Sequence, residues 1–222
     1  NNNMSTANEV QHPFGAKLNI LAKNVLKLPS SEVQLFALGG SILDFHSDDG
    51  CIVNAANEGG ITGFGIDELI NRAGGYEMKE SRRKFGGIPT GGAKSTPSFD
   101  FKNVPFVIHA CGPVLRRNAF SKTKGSKEDQ LAQLSNAYRS SLDEAQRLQL
   151  SDIGFCLLSA GVFRGDTPLG EVIGAGLIGI HDFFQSLEYE KSALTLPKRV
   201  AMVGYTNEEK EALILEFSGL SI

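Results

Sequence analysis

What this chain lacks narrows its chemistry before any motif is considered. No C-x-x-C spacing occurs, and Cys51, Cys111 and Cys156 each lie in an apolar run. Neither a zinc site nor a redox pair fits that pattern. The thiols read as small buried hydrophobes of a reducing compartment, which points to the cytoplasm or nucleus. No window approaches the ~18 consecutive apolar residues of a membrane helix, and no signal peptide is visible. Basic charge is not in excess: 22 Lys and Arg face 25 Asp and Glu, for a formal net charge of −3. Nucleic-acid binding by counterion release therefore has little to draw on. Lys122, Lys124 and Lys127 form a local basic patch. Neither glycine turn after a strand, "NEGGITGFG" or "SAGVF", matches a P-loop or a G-x-G-x-x-G, so neither a nucleotide triphosphatase nor a nicotinamide enzyme is supported there. No metal-ligand cluster is visible, and the chemistry is expected to need no metal and no other cofactor.

What is present is an ordinary globular composition. The 222 residues are 41% hydrophobic and 21% charged, enough for one sizeable core. Residues 1–16 begin as a polar stretch and are expected to be frayed. Residues 17–222 show no internal repeat and no dividing linker, so a single domain is expected, with a monomer favoured.

Short apolar runs alternate with helical patterns. Strands are expected at Lys17–Ala22, Val33–Leu38, Cys51–Ala56, Val104–Gly112 and Asp152–Ala160, with a short one in "GAKSTPSF" and a last one in "RVAMVGY". "IDELINRAGG" reads as a helix stopped at Gly74, and "YEMKESRRKFGG" as a second helical piece. In the longest helix, Leu131, Leu134, Ala137, Tyr138, Leu142 and Ala145 fall on one face. "GEVIGAGLIGIHDFFQSL" is apolar enough for a packed helix. "NEEKEALILEFSGL" starts with N-cap chemistry at Thr206 or Asn207. Residues 116–126 read as a loop. This alternation predicts an α/β fold: a three-layer α/β/α sandwich around a mixed, mostly parallel sheet of six or seven strands.

In such folds ligands sit beyond the carboxyl ends of the strands. That rule selects "NEGGITGFG", "CGPVLRR" and "SAGVFRGD". In the first, Gly63 and Gly65 flank Phe64 and Ile66 opens a helix. Glycine admits close approach to the main chain, and free N–H groups at a helix start favour an anion. In the third, Gly161 sits at the turn. Spacing alone leaves two readings: a pair of turns that grip a diphosphate, or plain tight connections. Asn54 and Asn57 end a buried strand and each needs partners. Asn54 reads as structural, bonding loop backbone; Asn57 stands at the exit, where a ligand hydroxyl can meet it. Asp67 reads equally as a first-turn carboxylate favoured by the helix dipole.

"IVNAANEGGITGFGIDELINRAGG" resembles the signature of macrodomains, the ADP-ribose-binding α/β/α domains. "IPTGGAKSTPSF", "VIHACGP" and "LLSAGVF" resemble later blocks of the same family in the same order, over roughly Gly40 to Phe184. The resemblance implies an ADP-ribose site at Ser41, Ile42, Ala55, Asn57, Gly63, Phe64, Gly65, Ile66, Asp67, Ser159, Ala160, Gly161, Val162 and Phe163. The two glycine loops would clasp the diphosphate through backbone N–H groups, and Phe163 would pack by the distal ribose. Asn57 would hold a ribose hydroxyl. Asp67 would orient or deprotonate a water, with Phe64 and Phe163 as apolar walls that restrict solvent and raise its basicity. His109 is either a satisfied core histidine or a phosphate-facing acid or base, as in members similar to ADP-ribose-1″-phosphate phosphatases. Arg164 either reaches the diphosphate or is a solvated surface residue. The implied function is binding of ADP-ribose with hydrolysis of a derivative, an ADP-ribosyl protein ester or O-acetyl-ADP-ribose. A phosphatase and a non-catalytic reader are the alternatives, and an ADP-ribosylated protein is the implied partner. Three positions depart from the family pattern: Ser41 replaces an aspartate that bonds adenine, Gly92 replaces a glutamate, and Phe64 interrupts a glycine run.

Overall fold

The computed structural model describes residues 12–29, 31–61, 63–115, 125–187 and 197–220. The loop expected at 116–126 and the lysines Lys122 and Lys124 fall largely or wholly outside them. Seven strands form one sheet: β1 (Asn19–Lys27), β2 (Glu32–Gly39), β3 (Gly50–Ala56), β4 (Ala93–Pro97), β5 (Phe106–Cys111), β6 (Asp152–Cys156) and β7 (Arg199–Gly204). Their order is β1-β2-β7-β6-β3-β5-β4. The five inner strands are parallel, and the edge strands β1 and β4 run antiparallel to their neighbours. The inner strands are buried on both faces, which is why they read as continuous apolar runs. The edge strand β1 runs to Lys27, five residues beyond the expected Ala22. Its half-exposed, mixed sequence gives no clean alternation.

Four helices cover the sheet: α1 (Ile66–Arg83), α2 (Lys127–Arg147), α3 (Leu169–Leu187) and α4 (Asn207–Ser218). The last three pack in a row on one face, with Tyr138 of α2 against Phe155. On the other face α1 lies against β3 and β4. Capping boxes start α2 at Ser126 and α4 at Thr206, each satisfying orphan N–H groups. The expected fraying of residues 1–16 needs correction at its described end. Phe14 is fully buried, stacked on Phe45 and edge-on to Phe36, because an apolar ring gains about 2 kcal/mol or more by entering the core.

The two helical pieces expected around Gly74 are continuous in α1 but broken at Gly75, which has φ +76°. A side chain there would strike the Asp100 carboxylate. The break has a large consequence. In a straight helix Asp67 and Arg82 would stand about 22 Å apart; here their side chains touch.

Candidate functional site

Because β2, β3, β5, β6 and β7 are parallel, their following loops share one end of the sheet. In order across that end come Ser41 after β2, Tyr205 after β7, Ser159–Phe163 after β6, Asn57–Gly65 after β3 and Gly112 after β5. The sheet therefore gathers every sequence-selected segment on one edge. From β2 to β3 is three strand spacings, about 14 Å.

The loop after β3 is anchored from beneath. Asp67 is 2% exposed. Its Oδ1 accepts from Arg82 Nη1 at 2.6 Å, from Asn54 Nδ2 at 2.5 Å and from Asn71 Nδ2 at 3.4 Å. Its Oδ2 accepts from the Gly63 N–H at 2.5 Å. Arg82 is fully enclosed, and its Nε donates to the Gly60 carbonyl at 3.0 Å. A charge this deeply buried persists only when paired and hydrogen-bonded, and Asp67 supplies the pairing.

This corrects the expectation that Phe64 and Phe163 wall in Asp67. Phe64 is 92% exposed. Seclusion comes instead from Arg82, Asn54, Asn71 and the Gly63 main chain. Asn54 is structural, as read, but it bonds the side chains of Asp67 and His109 rather than loop backbone.

His109 lies on β5 beside Asn54 of β3 in register. It is fully buried, with Nδ1 3.0 Å from Asn54 Nδ2 and Nε2 3.1 Å from Thr96 Oγ1. The Asp67 carboxylate requires the Asn54 amide nitrogen to face it, so the same NH2 group donates to His109 Nδ1. That leaves Nε2 as the protonated nitrogen, donating to Thr96. Burial, then the Arg82 charge, hold the imidazole well below its usual pKa. His109 is thus a neutral core residue, and the phosphate-facing alternative does not match its position. The fully enclosed ring, with both nitrogens engaged, offers no face to a ligand.

Asn57 is half-buried, with Nδ2 donating to the Ile61 carbonyl at 3.1 Å. Between it and Asp67 stands Gly63. A Cβ on Gly63 would fall 2.9 Å from Asp67 Oδ2 and 3.1 Å from Asn57 Nδ2. The absence of a side chain at Gly63 lets the loop backbone pack directly against the Asp67 carboxylate and the Asn57 amide. Gly65 has φ +66° and serves as the N-cap of α1 without any side-chain cap bond. Unlike α2 and α4, α1 therefore keeps its first N–H groups uncapped by a side chain, beside open space at Gly65.

The neighbouring loop after β6 is built differently. Ser159 holds the left-handed conformation at φ +57°, sparsely populated for a non-glycine residue. Its hydroxyl donates to the Pro113 carbonyl at 2.8 Å, tying the turn to the loop after β5. Ser159 and Ala160 are buried, Phe163 is half-buried and Val162 is exposed. Nothing would meet a Cβ on Gly161. Among the described residues none accepts from the N–H groups of Gly161, Val162 and Phe163.

Other candidates take plainer places. Ser41 Oγ accepts from the Leu43 N–H at 3.3 Å and caps a single 3₁₀ turn, with Ile42 buried beneath. Ala55 is half-buried on β3, in register with Ala110. Arg164 pairs with Glu208 of α4 at 3.1 Å. Sequence reasoning missed Arg82, Asn71 and Thr96. A faint signal for Arg82 existed: Ile70, Gly74, Met78 and Arg82 recur every four residues, and all four are buried.

The Macro domain family model matches residues 53–171. The chain belongs to the macro domain family. A macro domain-containing protein of Ralstonia nicotianae is 37% identical over 154 residues, 69% of this chain and 84% of that protein. An ADP-ribose glycohydrolase of Mus musculus is 32% identical over 157 residues, 71% of this chain but only 30% of that protein. Among solved structures, a Trypanosoma brucei macrodomain in complex with ADP-ribose superposes with a TM-score of 0.65 at 26% identity, covering 82% of this macrodomain and 68% of that chain. An Oceanobacillus iheyensis macrodomain with ADP reaches 0.69 at 23% identity, covering 89% and 95%; at that identity it speaks to the fold.

Proposed function

We propose that this macrodomain binds ADP-ribose and hydrolyses an ADP-ribose derivative, an ADP-ribosyl protein ester or O-acetyl-ADP-ribose. Binding is supported by the two glycine turns on the neighbouring strands β6 and β3. Both present free main-chain donors beside open space, the arrangement that suits a diphosphate. The row from Ser41 to Asn57 crosses three strand spacings, about 14 Å, a length that suits an elongated nucleotide. The solved relative with ADP-ribose bound and the glycohydrolase relative point the same way.

The observation that carries the hydrolytic reading is the convergence of Asp67 Oδ2 and Asn57 Nδ2 on Gly63, 2.9 and 3.1 Å from one point beside the Gly63 Cα. In this reading the attacking water is brought in with the substrate, on the side of the Gly63 loop where Asn57 lies. Asp67 orients the water and takes its proton as the new carbon–oxygen bond forms. The ester carbon–oxygen bond breaks, and the proton passes to the departing oxygen. Asn57 holds the adjacent ribose hydroxyl. Such positioning contributes typically 10²–10⁴-fold.

The burial of Asp67 favours a second reading, a non-catalytic reader of ADP-ribose. Calorimetric titration with ADP-ribose, beside turnover assays on O-acetyl-ADP-ribose and on an ADP-ribosylated protein, separates the two. Binding with turnover that falls at least a hundredfold in Asp67→Asn supports the hydrolase. Binding without turnover makes the protein a reader, and absence of binding at millimolar ligand overturns both.

A further inference from the structure

The ion pair beneath the cradle has a shape that simple charge balance does not require. Among the described residues Arg82 is the largest fully buried side chain. It reaches across the break at Gly75 and divides its donors between two targets: Nη1 to Asp67 and Nε to the Gly60 carbonyl. One target is the proposed base. The other belongs to the loop that carries Asn57 and Gly63. A planar guanidinium with fixed forks holds two acceptors in one relative orientation, which a lysine ammonium does not. The remaining donors on Asp67, from Asn54, Asn71 and the Gly63 N–H, come from β3, α1 and the loop. Arg82 alone joins the second half of α1 to both ends of the cradle.

We propose that Arg82 is a positioning residue of the hydrolytic reaction. By occupying Oδ1 it keeps Asp67 Oδ2 turned to the Gly63 N–H, and it fixes the loop backbone at Gly60, so that the carboxylate and Asn57 keep one relative placement. Oδ1 accepts from Arg82, Asn54 and Asn71, whereas Oδ2 accepts only from the Gly63 N–H among the described residues and is the oxygen with a lone pair left for a water. The inference rests on the hydrolase reading and adds to it the group that aims the carboxylate.

The test uses the full chain with Arg82→Lys and Arg82→Met, compared with Asp67→Asn. Turnover of O-acetyl-ADP-ribose is followed from pH 4.5 to 9, and ADP-ribose affinity is measured by calorimetry on the same samples. Arg82→Lys keeps a buried cation and guards against simple unfolding in Arg82→Met; thermal melts identify the folded variants. The expected result for Arg82→Lys is a kcat at least tenfold lower, with ADP-ribose Kd changed less than threefold. In folded Arg82→Met the fall in kcat should be at least as large, because neither Asp67 nor the Gly60 carbonyl then has its partner. The double variant Asp67→Asn/Arg82→Lys should be no slower than Asp67→Asn alone, since the two residues act as one unit. Wild-type kcat and pH profile in folded Arg82→Lys overturn the proposal alone. So does a parallel loss of kcat and affinity, which marks a structural role only. No turnover by the wild type overturns the hydrolase reading, and the proposal falls with it.

Discussion

Two buried aspartate–arginine pairs stand at opposite ends of the sheet, and their difference separates scaffold from site. At the amino ends of the inner strands, Asp152 of β6 faces Arg199 of β7 in register. The fork is bidentate, Nε to Oδ1 at 2.6 Å and Nη2 to Oδ2 at 2.5 Å, and Ser47 Oγ donates to Oδ2 at 2.7 Å. Arg199 is 37% exposed in its side chain and lies over the Phe14 ring. That pair seals strands and N-terminal segment together, with both carboxylate oxygens given to it. At the carboxyl ends, Asp67 gives Arg82 only Oδ1, and Arg82 has no contact with solvent. The second pair leaves one carboxylate oxygen directed at a loop. A pair that gives both carboxylate oxygens to its arginine closes the scaffold; one that gives its second oxygen to the Gly63 N–H ties the arginine to the candidate site.

Removing each carboxylate tests the contrast. Asp67→Ala strands a fully buried guanidinium and should cost about 3–5 kcal/mol, read as a lower midpoint in urea denaturation. Asp152→Ala leaves Arg199 able to reach water, so the loss should be smaller, about 1–3 kcal/mol. It should leave ADP-ribose affinity unchanged in calorimetry. Equal losses for the two would end the distinction.

Protons probe the same asymmetry. His109 belongs to the Asp67 network and has a lowered folded pKa, by burial and then by Arg82. The unfolded chain binds this proton near pH 6.5 and the native state does not. Stability should therefore fall as pH drops below about 6.5, by up to about 1.4 kcal/mol per pH unit from this residue, until the folded pKa is reached. Urea midpoints at pH 5 and 7 should differ less in His109→Gln than in the wild type, while Asp152→Ala should retain the His109 slope. The smallest effect on stability is expected at Gly161, where a Cβ meets nothing within 4 Å. Gly161→Ala should shift the midpoint by no more than about 0.5 kcal/mol yet weaken ADP-ribose binding severalfold. Gly63→Ala, whose Cβ would press on the Asp67 carboxylate and the Asn57 amide, should lower turnover more than affinity.

Much of the fold was legible because the inner strands announce themselves. "CIVNAA", "FVIHAC" and "DIGFC" are apolar on both faces, and each leads to a glycine-bearing loop. The capping boxes at Ser126 and Thr206 are local chemistry, although only the latter was anticipated. Edge strand β1 was half read, since a strand exposed on one side carries weaker patterning. At the site, Asn57, Gly63, Gly65, Asp67 and Ser159–Phe163 are contiguous runs, so short motifs find them. The Phe64 wall was misjudged because exposure is a property of neighbours, not of residue type.

The sequence by itself determined the strand and helix alternation, the family and the two glycine turns, because these depend on local periodicity and on residues close in the chain. Tertiary structure alone decided that His109 is enclosed and neutral, that Phe64 faces solvent and that Asp67 is held by Arg82. Those facts depend on the turn at Gly75, which brings residues about 22 Å apart in a straight helix into contact. They depend also on the sheet order, which sets β6 between β7 and β3 and lays two distant loops side by side.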